Sequence, residues 1–383
     1  MAKASQEGRQ VDRTSRFERF ARSEPKLTVL TDHSLTPDQA SSDAFELRYR
    51  VGPIYDIIRS PDTKLPMTIA IYGDWGTGKT SAMRWLHGLL NVWNKQPGAL
   101  KIWPVWFYPW KYDNKEDVLR GLISEVIIAS IDVKNLTWQR TKNAAKQFGL
   151  FLGKSFLHAL ASVKFKAKTP GDTLEAEADL TCLKDILAEY QQVAHPEKAY
   201  LNEFETSLEK WIANTLDENE RMIIFIDDLD RCMPDIALQV LEALKLYLNI
   251  DRLIFVVGVD KEVVDRLVVE HYRKLGLVQK KQESESEADK QQRLLDEAKA
   301  RQYLAKMFQV QVSLLPSEEQ IDRLLDEQLQ TVPHWRDMSD QEKEIFRRLI
   351  AKEAKRNPRE IKRRINDALI GGVGALMLSQ EEQ

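Results

Sequence analysis

One eight-residue stretch constrains the fold of this chain more than any other feature. Residues 73–80 spell Gly-Asp-Trp-Gly-Thr-Gly-Lys-Thr and match the pattern G-x-x-x-x-G-K-[ST]. In such a loop the backbone N–H groups converge on phosphate oxygens, and the glycines keep Cβ atoms out of the way. Lys79 would place its charge at the β- and γ-phosphates, and the Thr80 hydroxyl would ligate Mg²⁺. The sequence therefore predicts a nucleoside-triphosphate site.

The segments on either side of this loop support the prediction. Residues 67–72 are apolar and β-branched, which is typical of a buried parallel strand. Residues 81–90 have a helical pattern, and a helix that starts behind a glycine loop presents an anion site. We expect the nucleotide to contact the whole loop and the start of the helix: Gly73, Asp74, Trp75, Gly76, Thr77, Gly78, Lys79, Thr80 and Ser81.

A second acidic motif supplies the other half of such a site. The apolar run 222–226 predicts a strand, and Asp227 and Asp228 follow it directly. We expect Asp227 to coordinate Mg²⁺ at the end of the strand and Asp228 to orient the attacking water. Lys79 and Asp227 lie 148 positions apart (227 − 79), which is too far for a simple βαβ neighbour. This spacing predicts an α/β P-loop NTPase of the additional-strand class with a large insertion.

A guanine-recognition pattern at residues 114–117, Asn-Lys-Glu-Asp, is misplaced for a GTPase. In GTPases this element follows the Mg²⁺ aspartate, whereas here it precedes Asp227 by over a hundred positions. Asn114 is better interpreted as the N-cap of a helix over 115–130. We therefore expect the cofactors to be ATP and Mg²⁺ rather than GTP.

Composition excludes several other classes of protein. The chain has 383 residues, 30% of them charged, and a net charge of −3, so no global field draws it to nucleic acid or membrane. Cys182 and Cys232 have no metal-ligand spacing, and the N-terminus lacks a signal-peptide core, which favours a cytoplasmic protein. The most apolar segment, 148–163, is short for a membrane span and contains Lys154 and His158. It is predicted to be a buried or partner-facing helix.

The pattern of elements divides the chain into five segments. Further strands are predicted at 100–108, 253–257 and 308–314, with a helix over 234–248, so the sheet should be parallel and flanked by helices. Pro104 places the 100–108 strand at an edge or a bulge. The segments are a flexible arm (1–42), a first core part with the P-loop (43–111), a helical insertion (112–220), a second core part (221–315) and a C-terminal helical lid (316–383).

Taken together, these motifs resemble the KAP family of P-loop NTPases. The resemblance covers about residues 45–370 and rests on the motifs at 71–81, 107–112, 226–232, 255–260, 303–309 and 357–363. It implies an additional-strand ATPase core with a helical lid, membrane association in many members, and links to phage exclusion or scaffolding. Many relatives carry transmembrane helices between the two nucleotide motifs, where this chain has only the segment 148–163. That difference suggests a soluble branch without a transmembrane span.

The resemblance also implies accessory roles for two residues. Asp260 follows a strand where related ATPases place a polar sensor of the γ-phosphate, although it would equally serve as a helix N-cap. Arg359, in the first turn of a C-terminal helix, is predicted to be a catalytic lid arginine, and a solvated or DNA-facing arginine is the alternative. Arg231 is expected to pair with Asp230 rather than to bridge to an adjoining subunit.

Two further groups of residues invite a nucleic-acid interpretation. Trp103, Trp106 and Trp110 would stack on bases, but aromatic residues beside a P-loop strand more often belong to the core. A dense basic cluster would contact nucleic-acid phosphates or form a solvated helix face: Lys355, Arg356, Arg359, Lys362, Arg363 and Arg364.

These observations predict an ATP-binding, Mg²⁺-dependent ATPase that acts as a nucleotide-driven switch or assembly module. An anti-phage role comes from family analogy alone, and it would need separate effector proteins because no second catalytic constellation is evident. We also expect a homo-oligomer. Two alternatives remain open: an ATP-bound scaffold with little turnover, and a DNA-stimulated ATPase.

Overall fold

A computed structural model gives the structure of the chain. It describes residues 46–112, 115–133, 148, 165–166, 175–176, 201–233, 236–238, 240–241, 244, 250–274, 276–278, 287–330, 332, 335, 338–354 and 357–371. One compact unit ends at Pro316, and a second begins at Ser317.

The larger unit is built on a five-stranded parallel sheet. The described strands are β1 (Met67–Tyr72), β2 (Lys101–Phe107), β3 (Phe165–Lys166), β4 (Glu175–Ala176), β5 (Glu220–Ile226), β6 (Leu253–Val259) and β7 (Val310–Ser313). Strands β3 and β4 form a separate antiparallel pair, and the other five form the parallel sheet. The sheet order is β2-β5-β6-β1-β7, and every neighbouring pair is parallel. Strand β6 therefore separates the loop strand β1 from the acidic strand β5. This order confirms the additional-strand class that the motif spacing predicted.

Nine helices of the described residues are long enough to number, and two short 3₁₀ turns accompany them. The helices are α1 (Leu47–Arg59), α2 (Lys79–Trp93), α3 (Lys115–Val133), α4 (Leu201–Thr215), α5 (Lys261–Lys274), α6 (Glu287–Met307), α7 (Glu318–Leu329), α8 (Asp340–Ala354) and α9 (Pro358–Gly371). The 3₁₀ turns are Pro109–Lys111 and Leu229–Arg231.

Helices cover both faces of the sheet, as the long apolar strands require. All seven residues of β5 and all seven of β6 are buried. Successive side chains of β5 alternate between two cores: Ile224 packs into the cluster that includes residues of α3, α4 and α5, and Phe225 packs with α1 and α2. A strand buried on both faces favours a continuous apolar run, which is why residues 222–226 of β5 and most of β6 lack the alternation of a half-exposed strand.

Pro104 lies on an edge strand of the sheet. Among the described residues, strand β2 pairs with β5 alone and is an edge strand of the sheet that they form. Pro104, opposite Ile223 in the register, has no N–H to donate and is tolerated at such an edge. The prediction for Pro104 is confirmed.

The insertion at 112–220 was predicted to be mostly helical, and its described residues also include two short strands. It begins and ends with α3 and α4, but Phe165 and Lys166 pair antiparallel with Ala176 and Glu175. Between these two short strands, the sequence contains Pro170 and Gly171, which lie outside the described residues. Most of the predicted 148–163 helix lies outside the described residues, as do the arm 1–42, Cys182 and Asn114. Among the helices that are described, none combines the length and apolarity needed to cross a bilayer.

Local capping chemistry fixes the helix starts of the C-terminal unit. Ser317 and Gln320 form a reciprocal capping box at α7, and Ser339 and Glu342 exchange the same bonds at α8. The Asn357 side chain accepts hydrogen bonds from the N–H groups of residues 359 and 360, directly before Pro358 opens α9. Residues within four positions of each other thus set all three helix starts.

Candidate nucleotide site

The glycine loop joins the carboxyl end of β1 to the first turn of α2. The Gly73 N–H donates to the carbonyl oxygen of Val259, which ties the start of the loop to the end of β6 (3.1 Å). Within the loop, the Thr77 hydroxyl donates to the Asp74 carbonyl oxygen (2.8 Å). Gly78 precedes α2 with φ = 96°, a left-handed conformation that a side chain disfavours. The loop thus delivers Lys79 and Thr80 at a helix N-terminus, as an anion site requires.

Lys79 lies inside the loop and is almost completely buried. Its ammonium group donates to the carbonyl oxygens of Gly73 (3.0 Å) and Asp74 (3.2 Å). It also forms an ion pair with the Asp230 carboxylate at 3.3 Å, and both side chains are 8% exposed. Sequence analysis gave Asp230 no role in the site. The only signal that pointed to it was its place in the acidic run after β5.

Thr80 and Asp227 meet although 147 positions separate them. The Thr80 hydroxyl donates to Oδ1 of Asp227 at 3.2 Å. Asp227 directly follows β5, where its N–H donates to the Phe107 carbonyl oxygen of β2 (3.2 Å), and it is only 1% exposed. Burial, followed by the neighbouring charge of Asp228, raises the pKa of Asp227 to about 6.

The pair of Thr80 and Asp227 suits a hard divalent cation. Hydroxyl and carboxylate oxygens are the ligands that Mg²⁺ takes from proteins, with the remaining positions filled by phosphate oxygens and water. A cation beside Asp227 would also offset the cost of burying its charge. The assignment of Mg²⁺ to Thr80 and Asp227 stays a prediction, and their contact is consistent with it.

Asp228 and Arg231 lie in the short turn after β5, and the predicted partner of Arg231 was wrong. Asp228 has φ = 60°, a left-handed conformation, and its N–H donates to Oδ1 of Asp227 (2.9 Å). Arg231 pairs with Asp228 at 2.9 Å rather than with Asp230 as expected. The reason is that the 3₁₀ turn Leu229–Arg231 brings residues three apart onto one side, while Asp230 faces Lys79.

Gly258 is a second residue that sequence analysis missed. It lies on β6, between β1 and β5 in the sheet, and its surroundings leave no room for a side chain. A Cβ atom would lie 2.8 Å from Cε of Met83, 3.5 Å from Oδ1 of Asp227 and 3.6 Å from Cβ of Lys79. The missing side chain lets α2 approach the sheet closely enough for Thr80 to contact Asp227.

Replacing Gly258 with valine should therefore damage the site and the core together. We expect a loss of about 1–3 kcal/mol in the free energy of unfolding, because overpacking forces α2 away from β6. Urea denaturation measures this loss. The control is Gln311→Val at an exposed position of β7, where a β-branched residue suits the strand and no loss of stability is expected. Equal stability of the two variants would contradict the close-approach role of Gly258.

Asp260 follows β6 and caps α5. Its side chain accepts a hydrogen bond from the Val263 N–H (3.2 Å), and it is 8% exposed. The N-cap interpretation is confirmed. A role as γ-phosphate sensor stays a prediction, although the bond between Gly73 and Val259 places the start of the loop beside the end of β6.

The aromatic residues after β1 separate into core and surface. Trp106 stacks on Phe225 with ring centroids 4.8 Å apart, and Trp103 packs against the core, so both are structural as expected. Trp110 is 49% exposed, and its assignment to the core was wrong. It belongs to the 3₁₀ turn after β2 rather than to the strand. Trp75 of the loop is also 46% exposed.

Tyr108 is a further neighbour of the acidic residues. Burial, then the charge of Asp227, raises the pKa of its hydroxyl, while a hydrogen bond with Arg84 of α2 acts in the opposite direction. The Lys111 ammonium lies over the Tyr108 ring, 4.9 Å from its centroid. Tyr108 thus links the edge of the site to the P-loop helix.

The predicted lid arginine and the basic cluster lie in the C-terminal unit. Arg359 occupies the first turn of α9, and its catalytic role stays a prediction. Arg363 pairs with Glu360 (3.3 Å), and Arg364 pairs with Glu353 (3.4 Å). These two arginines therefore have acidic partners, while Lys355 and Arg356 of the cluster lie outside the described residues.

A comparison with protein-family models identifies the origin of this arrangement. The model described as the KAP family P-loop domain matches residues 52–371. A comparison with curated proteins gave no significant match. The matched region includes the glycine loop, the acidic strand end and the C-terminal helices, and it covers more than half of the chain. The chain therefore belongs to the KAP family of P-loop NTPases.

Proposed function

We propose that this protein binds and hydrolyses ATP in a Mg²⁺-dependent manner and that the nucleotide state switches an assembly or signalling state. The observation that carries the proposal is the contact between the Thr80 hydroxyl and the buried Asp227 carboxylate, 3.2 Å apart. Two distant motifs supply one pair of oxygen ligands, beside a loop whose N–H groups and lysine suit phosphates. This is the arrangement that phosphoryl transfer requires.

Each residue has a distinct role in the proposed reaction. Lys79 and the loop N–H groups bind the phosphates and stabilise the charge that develops on them. Thr80 and Asp227 hold Mg²⁺, which neutralises the phosphate oxygens when it is bound. Asp228, the residue that opens the turn after β5, orients the attacking water. Arg359 is proposed to complete the site as a lid arginine, and family resemblance alone supports that assignment.

Phosphate release from the purified chain tests the proposal. We expect steady release from ATP, loss of release on chelation of Mg²⁺ with EDTA, and recovery when Mg²⁺ is added back. GTP at the same concentration should be a poorer substrate, because the guanine pattern is absent from its usual place. Absence of both ATP binding and turnover in well-folded protein would overturn the proposed function.

One contact favours a second candidate, an ATP-bound scaffold with little turnover. Arg231 holds Oδ1 of Asp228 at 2.9 Å, so the water-orienting carboxylate is already engaged. Rapid-quench kinetics separate the two candidates: a switch ATPase turns over repeatedly, whereas a scaffold releases at most one phosphate per subunit and stops. A DNA-stimulated motor would show turnover that rises with duplex DNA and falls steeply with salt.

The biological setting and partners are also proposals. From family resemblance we propose an anti-phage role with a separate effector protein, in the cytoplasm, and a homo-oligomeric active form. Infection assays with wild-type and Lys79→Ala strains test the first, and light scattering with and without ATP tests the last.

A further inference from the structure

The ammonium group of Lys79 is fully committed within the protein. An ammonium has three N–H donors, and here they have three acceptors: the carbonyl oxygens of Gly73 and Asp74 and Oδ2 of Asp230. A phosphate oxygen gains a hydrogen bond from Lys79 only when one of these acceptors gives one up.

Asp230 differs from the other two acceptors in its charge. The two carbonyl oxygens are neutral, whereas the Asp230 carboxylate attracts the lysine and repels an approaching triphosphate. Because both side chains of the ion pair are 8% exposed, little solvent screens either effect. Asp230 is therefore the acceptor that competes most directly with phosphate.

The backbone holds Asp230 in this place. The left-handed conformation of Asp228 turns the chain after β5, and the next residue, Leu229, is fully buried in the core. This anchor fixes the 3₁₀ turn and points Asp230 at Lys79, which lies 151 positions earlier in the chain. The ion pair is thus built into the fold rather than formed by two mobile surface side chains.

We propose that Asp230 is a positioning residue that holds Lys79 in the nucleotide-free protein and competes with the triphosphate for it. ATP binding breaks the Asp230–Lys79 pair, and the pair re-forms when the products leave. Asp230 therefore lowers the affinity for ATP and ADP and speeds the release of ADP. This inference rests on the proposed function, because it assumes that the loop binds a nucleotide.

Nucleotide affinity of Asp230→Asn provides the first test. The amide keeps the shape and the oxygen acceptor but removes the charge, so we expect Kd for ATP and for ADP to fall about tenfold, the scale of a charge-assisted hydrogen bond. AMP, which lacks the β- and γ-phosphates, should show no gain. Isothermal titration calorimetry gives the three affinities.

A matched control separates this effect from a change in net charge. Asp56→Asn removes one negative charge from the surface of α1, where Asp56 pairs with Arg59, and it should leave all three affinities unchanged. Unchanged or weaker ATP binding by Asp230→Asn, with normal binding by wild type and loss of binding in Lys79→Ala, would overturn the inference and leave the proposed function standing. If wild type itself binds no ATP, the proposed function fails first.

Thermal unfolding of nucleotide-free protein tests the pair independently. Asp230→Asn should lower Tm in the wild-type background, because it breaks a buried ion pair. In a Lys79→Ala background the same substitution should raise Tm or leave it unchanged, because the carboxylate there has already lost this counter-charge. If Lys79→Ala is too unstable to purify, the double variant Lys79→Ala/Asp230→Asn should be more stable than Lys79→Ala alone. A loss of stability that is the same in both backgrounds would show that Asp230 does not act through Lys79.

Discussion

Lys79→Ala is expected to slow ATP hydrolysis severely. The substitution removes the only lysine of the loop, and with it the charge that would meet the β- and γ-phosphates. We expect turnover to fall by about 100- to 1,000-fold, the cost of losing one preorganised donor to developing negative charge. ATP affinity should fall as well, because the same contact acts in the bound ground state. Phosphate release and calorimetric titration measure the two effects.

The control for Lys79→Ala must lose a lysine without touching the site. Lys299 on α6 is 68% exposed and pairs only locally with Asp296, so Lys299→Ala should hydrolyse ATP at the wild-type rate. Unfolding curves are needed beside the kinetics, because Lys79→Ala leaves the buried Asp230 carboxylate without this partner. Turnover by Lys79→Ala at the wild-type rate would show that the nucleotide site has been assigned to the wrong loop.

Asp228→Asn should separate binding from turnover. The loop and the pair formed by Thr80 and Asp227 remain intact, so ATP affinity should stay within about threefold of wild type. Turnover should fall by about 100- to 10,000-fold, because the amide cannot accept a proton from the attacking water. Single-turnover phosphate release measures the chemical step.

Asp228→Asn also tests whether the bound nucleotide controls assembly. If bound ATP drives assembly, Asp228→Asn should remain assembled in ATP for much longer than wild type, which returns to the free state as ATP is consumed. Light scattering with ATP, with ADP and without nucleotide follows this change, and addition of duplex DNA reports nucleic-acid binding in the same experiment. Asp56→Asn again controls for the lost charge. Wild-type turnover by Asp228→Asn would remove this residue from the proposed mechanism.

The strands and the phosphate loop were predictable because their signals are local. A strand buried on both faces needs an unbroken apolar run, and β5 and β6 have one. The glycine loop, the helix behind it and the capping boxes of α7 and α8 each depend on residues within a few positions of one another. The additional strand between β1 and β5 was inferred from motif spacing. If the acidic motif followed the strand directly beside β1, fewer residues would separate it from the glycine loop.

The pairings inside the site were harder to predict. Asp228 and Asp230 are chemically alike and two positions apart, so the sequence does not say which of them meets Arg231 and which meets Lys79. The left-handed backbone conformation of Asp228 decides that Asp228 pairs with Arg231 and that Asp230 pairs with Lys79. Trp110 was misassigned for a similar reason, because its exposure depends on where β2 ends.

The sequence by itself determined that this protein has a triphosphate loop, an acidic strand end and at least one strand between them. Those conclusions follow from residue types at short range and from one long spacing. Only the tertiary structure decided that Asp230 holds Lys79 and that Gly258 lets α2 approach the sheet. The physical reason is that both contacts join residues from different strands and helices, and their distances depend on how closely those elements pack.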